Sequence, residues 1–125
     1  MANKVQLKLK FGAMKSFLLC LVFILSGLGA YAHPPKSVEL SYDADKGELN
    51  ISVVHPVKDV KIHYIKDVII SLNGEEKELI KYEKQSDSET FSFTYQIVGL
   101  KGGDVINVVA DCNKFGKRSA ELVID

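Results

Sequence analysis

From Val38 to Ile124, apolar side chains return at every second position in short runs, and no segment sustains the three-to-four spacing of a helix. Alternate residues of a strand point to opposite faces, so each run offers one apolar face to a common core. The runs are Val38, Leu40 and Tyr42; Leu49, Ile51 and Val53, continued on the same face by His55; Val68, Ile70 and Leu72; Phe91, Phe93, Tyr95 and Ile97; Ile106, Val108, Ala110 and Cys112; and Ala120, Leu122 and Ile124. Ile65 and Ile69 add apolar residues to the outer face of the third run, which predicts a strand covered on both sides. Turns separate the runs at Asp43 to Gly47, at Asn73-Gly74 and at Lys101 to Asp104. Asn-Gly is the strongest short hairpin signal, and the mostly charged return strand from Lys77 to Lys84 reads as a sheet edge. Gln85 to Glu89 reads as a polar loop. Seven short strands with regular turns predict an all-β fold, an immunoglobulin-like seven-stranded β-sandwich.

Ahead of the strands, Met14-Lys15-Ser16 leads into FLLCLVFILSGLGAYA, a short apolar run that ends on small residues. A basic lead, a short apolar segment and an Ala30-Tyr31-Ala32 exit predict a secretory signal peptide over residues 1–32, cleaved after Ala32. Residues 1–13 either lengthen the basic lead or lie upstream of a start at Met14. The run is too short and too Gly-rich at its end for a membrane span. The expected mature domain is therefore residues 33–125, exported to the periplasm or the exterior, with no membrane span.

Signal removal changes the charge. The full chain carries 16 basic and 16 acidic side chains; residues 1–32 hold four lysines and no acid, leaving 12 against 16, a balance of −4. That balance argues against nucleic acid and anionic lipid as partners. Cys20 leaves with the leader and Cys112 stands alone, so no internal disulfide can form. A small exported domain usually needs a staple, and a bound metal is one.

All three histidines of the chain, His33, His55 and His63, lie in the mature domain. His55 ends an inward row just before Pro56, His63 opens the next strand, and Cys112 ends another inward row. Strand ends of a sandwich gather at its poles, and imidazole and thiolate are ligands that iron, zinc and copper favour. Each residue also has a plainer reading. Cys112 alone is a small buried hydrophobe, His55 a strand terminus bonded to a backbone carbonyl, His63 a strand starter and His33 a frayed end. Their joint position at strand ends favours a shared metal site. Asp43 and Asp45 lack the later acidic ligand of a calcium loop, and no G-x-S-x-G turn is present.

The stretch His55-Pro56 … His63-Tyr64-Ile65, followed downstream by Cys112-Asn113-x-x-Gly116, resembles the iron-binding domain of superoxide reductases, the desulfoferrodoxin and neelaredoxin family. His33-Pro34-Pro35 is similar to that family's first ligand segment, and the likeness runs from His33 to about Ile124. The resemblance implies an immunoglobulin-like domain holding one ferrous ion on four equatorial histidines and an axial cysteine, with the sixth position left for superoxide. His33, His55 and His63 then match three of the histidines, and Cys112 matches the axial thiolate. The fourth histidine would stand at Phe115, whose phenyl ring cannot ligate. The Glu-Lys pair that often precedes the first ligand is replaced by Tyr31-Ala32, and the interval from His55 to His63 is two residues longer than the common pattern.

The resemblance thus implies a superoxide-reductase-like oxidoreductase with iron as cofactor, acting on superoxide and refilled by an external electron donor. The residues leave three alternatives open. Three nitrogens and one sulfur suit tetrahedral zinc. An N-terminal His33 would chelate copper through its amine and ring, forming a brace with His55 or His63. A domain that kept the fold and lost the metal would be a structural or interaction module.

Overall fold

The structure, a computed structural model, describes residues 33–125; the expected signal peptide, residues 1–32, lies outside the described residues. Seven strands follow in order: β1 Ser37–Asp43, β2 Glu48–Val54, β3 Ile65–Leu72, β4 Glu75–Lys81, β5 Thr90–Gln96, β6 Val105–Cys112 and β7 Lys117–Val123. They form two antiparallel sheets, β1-β2-β5 and β4-β3-β6-β7. This is the all-β sandwich that the alternation predicts. No helix occurs among the described residues.

The inward rows meet where they were expected. Leu49, Ile51 and Val53 of β2 lie buried with Val68 and Ile70 of β3 and with Ile106, Val108 and Ala110 of β6. Burying each of the larger side chains is worth roughly 1.5–3 kcal/mol over leaving it in water. The charged return strand β4 is a sheet edge, as its composition demands. Asn73 and Gly74 both take positive φ, 50° and 82°, as a two-residue type I′ turn requires.

Ile65 departs from the expectation. It is not on the outer face of β3 but fully buried in the core. Against β6, Ile65 pairs with Cys112 and Asp67 pairs with Asp111, so Lys66 is an extra, bulged residue. One extra residue inverts the side-chain phase, turning Ile65 inward. Bulges bend a strand and re-aim its side chains, and this one sits beside the cysteine. Because neighbours run antiparallel, β2 and β6 end at the same pole from which β1, β3, β5 and β7 depart. Residues 33–36, 55–64, 82–89 and 113–116 all connect there.

Candidate metal centre

His55 extends the inward row of β2 by one more step. Its N–H donates to Glu89 O at 2.9 Å, carrying the β2–β5 ladder one pair further before Pro56 ends it. The side chain therefore points into the sandwich and is 0% exposed. Its Nδ1 is hydrogen-bonded to Gln85 Oε1. Its Nε2 is buried with no partner, alone in this among the side-chain nitrogens and oxygens of the described residues.

His63 arrives by a turn. The N–H groups of Ile62 and His63 both donate to Asp59 O, at 3.2 and 3.0 Å, and Lys61 N–H donates to the Asp59 carboxylate at 3.0 Å. This turn takes up the longer interval after His55, and the His63 ring still stands 4.7 Å, centroid to centroid, from the His55 ring. His63 Nε2 lies 3.1 Å from Cys112 Sγ. Cys112, almost fully buried, is the last residue of β6.

Asn113 ties these two segments together. Its N–H donates to Tyr64 O at 3.0 Å, its Oδ1 accepts Tyr64 N–H at 2.9 Å, and its Nδ2 donates to Ile62 O at 2.9 Å. Both chain neighbours of His63 are thus clamped to the residue after Cys112. Lys114 N–H approaches Cys112 Sγ at 3.4 Å, and Cys112 N–H donates to Gly116 O at 3.0 Å. Gly116 has φ 80°, and a Cβ placed on it would stand 2.7 Å from Pro34 Cβ. Only glycine lets this turn close against the segment that carries His33. Arg118 Nε adds a 3.0 Å bond to Pro35 O.

All four residues singled out in the sequence therefore come to one pole. Single ligating atoms of His55, His63 and Cys112 lie within 4.8 Å of one another. The His33 ring packs on both other rings, with centroids 5.4 Å from His55 and 5.1 Å from His63, but it stands outside that group of three. Its Nδ1 is hydrogen-bonded to Pro34 O at 3.1 Å, which leaves Nε2 free to ligate. Phe115 is 64% exposed, so its ring faces solvent rather than filling the place of a fourth ligand.

The electrostatics keep the His55 and His63 imidazoles unprotonated. Burial pushes the His55 pKa down, with the Gln85 bond opposing it. Burial likewise lowers His63, reinforced by the charges of His55, His33 and Lys114. Both rings are consequently neutral at pH 7, the form in which an imidazole binds metal. The residue that sequence reasoning missed is Gln85. It is 2% exposed, in a stretch that reads as a polar loop. Nothing in its neighbours signals burial.

No protein-family model matches the chain, and no curated protein matches it. Among solved structures, a superoxide reductase (neelaredoxin) from Ignicoccus hospitalis is similar at 17% sequence identity, with a TM-score of 0.48, over 72% of this chain and 79% of that one.

Proposed function

We propose that residues 33–125 form a superoxide-reductase-like domain in which His33, His55, His63 and Cys112 hold a single iron ion, and that the chain works outside the cytoplasm after cleavage behind Ala32. The observation that carries this reading is the bare, buried Nε2 of His55, facing a pole shared with a second imidazole and a thiol. An unpaired buried polar atom costs about 1–3 kcal/mol, a cost that a bound ion removes. Nitrogen and sulfur donors without a carboxylate suit iron, zinc or copper better than magnesium or calcium.

His33, His55, His63 and Cys112 would hold a ferrous ion, which would supply the one electron that, with two protons, converts superoxide to hydrogen peroxide, the electron being replaced by an external donor. The chain's own part is to hold and shield. Gln85 and Asn113 fix the positions of His55 and His63, and the bulge at Lys66 sets Ile65 beside Cys112 to keep water from the sulfur. Cys112 lends electron density that a ring nitrogen does not. Lys114, whose charge acts on His63, supplies a cation that favours approach of an anionic oxidant.

The test is elemental analysis of the exported protein, purified without affinity metals, alongside its His63→Ala variant. One iron per chain, lost in the variant, with peroxide formed for each superoxide consumed, is the expected result. N-terminal sequencing should begin at His33. A second reading rests on the close group of three, from which His33 stands apart: three ligands and a low coordination number suit zinc, which does no redox chemistry. Zinc in place of iron, with no superoxide consumption, would select that reading. No metal of any kind would overturn both.

A further inference from the structure

We propose that Gln85 is a positioning residue whose amide holds His55 in the Nδ1–H tautomer, so that Nε2 is the atom presented to a metal. The orientation of the amide follows from its neighbours. Gln85 Nε2 donates to two backbone carbonyls, His55 O at 3.1 Å and Asp87 O at 3.0 Å, and Gln85 Oε1 accepts the Ile65 N–H at 3.0 Å. A carbonyl only accepts and a backbone N–H only donates, so these three contacts admit one orientation. Flipping the amide would set oxygen against two oxygens and NH2 against an N–H, in a buried place where each lost bond costs about 1–3 kcal/mol.

With Oε1 fixed, the ring atom that meets it must carry a hydrogen. That atom is His55 Nδ1. A neutral imidazole has one N–H, which leaves Nε2 bare. The His33 backbone lies near enough to act on the ring as a hydrogen-bonding group that raises its pKa, but no contact of normal hydrogen-bond geometry reaches Nε2. Gln85 further donates its own N–H to Val60 O at 3.0 Å, so one residue ties together the end of β2, the start of β3 and the loop between β4 and β5. Buried partners behind a ligating histidine fix its tautomer and aim its ring. Here the partner is a neutral amide rather than a carboxylate, so it orients the ligand without adding negative charge to the site.

The tautomer half of this inference stands independently; the metal half rests on the reading proposed above. The experiment is long-range proton–nitrogen NMR on metal-free, histidine-labelled protein, paired with Zn(II) affinity by chelator competition. His55 should show a protonated Nδ1 and a bare Nε2 in the wild type. Gln85→Met keeps the length and removes the amide; it should give a mixture of tautomers and lower Zn(II) affinity about 10- to 100-fold. A wild-type His55 with its proton on Nε2, directed at His33 O, overturns the inference without need of any variant. So does an unchanged tautomer in a folded Gln85→Met. Should Gln85→Met not fold, Gln85→Glu, which retains an acceptor for Nδ1–H, must keep the wild-type tautomer or the inference fails. Wild-type protein with the Nδ1–H tautomer but no affinity for Zn(II) upholds the positioning and sinks the metal reading; tight Zn(II) binding on an Nε2–H histidine does the reverse.

Discussion

At the pole away from the histidines, Asn73 and Asp104 close two turns with matched partners. Asn73 Nδ2 donates to Asp104 Oδ1 at 3.0 Å, Val105 N–H donates to Asn73 Oδ1 at 2.9 Å, and Lys101 N–H donates to Asp104 Oδ2 at 2.7 Å. These groups are exposed, so water stands in whenever a bond opens. At the histidine pole the polar groups go inside: His55, Gln85 and Cys112 are buried, and one nitrogen is left without a partner. Turn closure explains the first arrangement completely. It does not explain the second, since an apolar side chain at position 55 would complete the β2 row at no cost in unpaired atoms. The proposed metal would account for the difference: it would satisfy the one buried nitrogen that the fold leaves unpaired, and part of the domain's stability would then depend on it.

The largest test of this contrast is metal removal. A ligand present at about 100 to 1,000 times its Kd stabilises the native state by about 2.7–4.1 kcal/mol. For a domain of this size each 1 kcal/mol moves Tm by about 4–8 °C, so chelation should lower Tm by well over 10 °C. Hydrogen exchange should also quicken most at Ile65 and Asn113, whose N–H groups serve the histidine pole, and less at Asn73 and Ile124 at the other. An unchanged midpoint would make the two ends equivalent and remove the metal from the account.

Two glycines sharpen the comparison further. Gly74 and Gly116 have nearly the same backbone, φ 82° and 80°, but a Cβ on Gly74 meets nothing within 4 Å while one on Gly116 meets Pro34 at 2.7 Å. Gly74→Ala should cost only the left-handed penalty, about 1–2 kcal/mol. Gly116→Ala adds an overpacking cost of about 1–3 kcal/mol and pushes His33 away from the other rings. Urea denaturation of the metal-free proteins measures the first effect, and metal affinity measures the second. Equal costs for the two, with affinity unchanged, would show that the turn at Gly116 does not position His33.

The same contrast explains what was legible in the sequence. The strands and the hairpin follow from period and turn chemistry, which are local. His55 and Cys112 were readable because each continues an inward row to its last position. The bulge at Lys66 was not, since a one-residue slip between β3 and β6 is decided by pairing between residues 44 positions apart in the chain, Asp67 and Asp111. Gln85 was not readable either. Its burial is set by groups on His55, Val60 and Ile65, and a glutamine among serines and acids carries no sign of them. Positions fixed by local period were found, and positions fixed by distant backbone groups were not.

His55→Leu turns the argument around and should be smaller in effect. It should abolish the proposed metal binding, yet in the metal-free protein it removes the unpaired Nε2 from a site whose neighbours in the row are Leu49, Ile51 and Val53. The gain from that removal, partly offset by losing the Gln85 bond, should raise metal-free stability by about 1 kcal/mol. A loss of several kcal/mol would instead mean that the ring itself supports the fold, and the histidine pole would then be structural like its opposite.

The smallest effect separates the poles by pH. In metal-free protein both His55 and His63 have pKa values lowered from 6.5, chiefly by burial. The unfolded chain therefore binds more protons, and stability that is complete above the unfolded value declines as pH falls from 6.5 through the lowered folded values. Asp104 is also lowered, from 3.8, by its hydrogen bonds to Lys101 N–H and to Asn73, so its contribution holds above that range and is lost as pH falls below it. Acidification should thus weaken the histidine pole first and the far pole second. Denaturation midpoints followed downward from about pH 8 should show an early decline that His63→Ala reduces and a later one that Asp104→Asn reduces. Bound metal competes with protons for the same imidazoles and should shift the early decline to lower pH while leaving the later one in place. If both declines shift together, the two poles do not titrate independently, and the separation drawn between them fails.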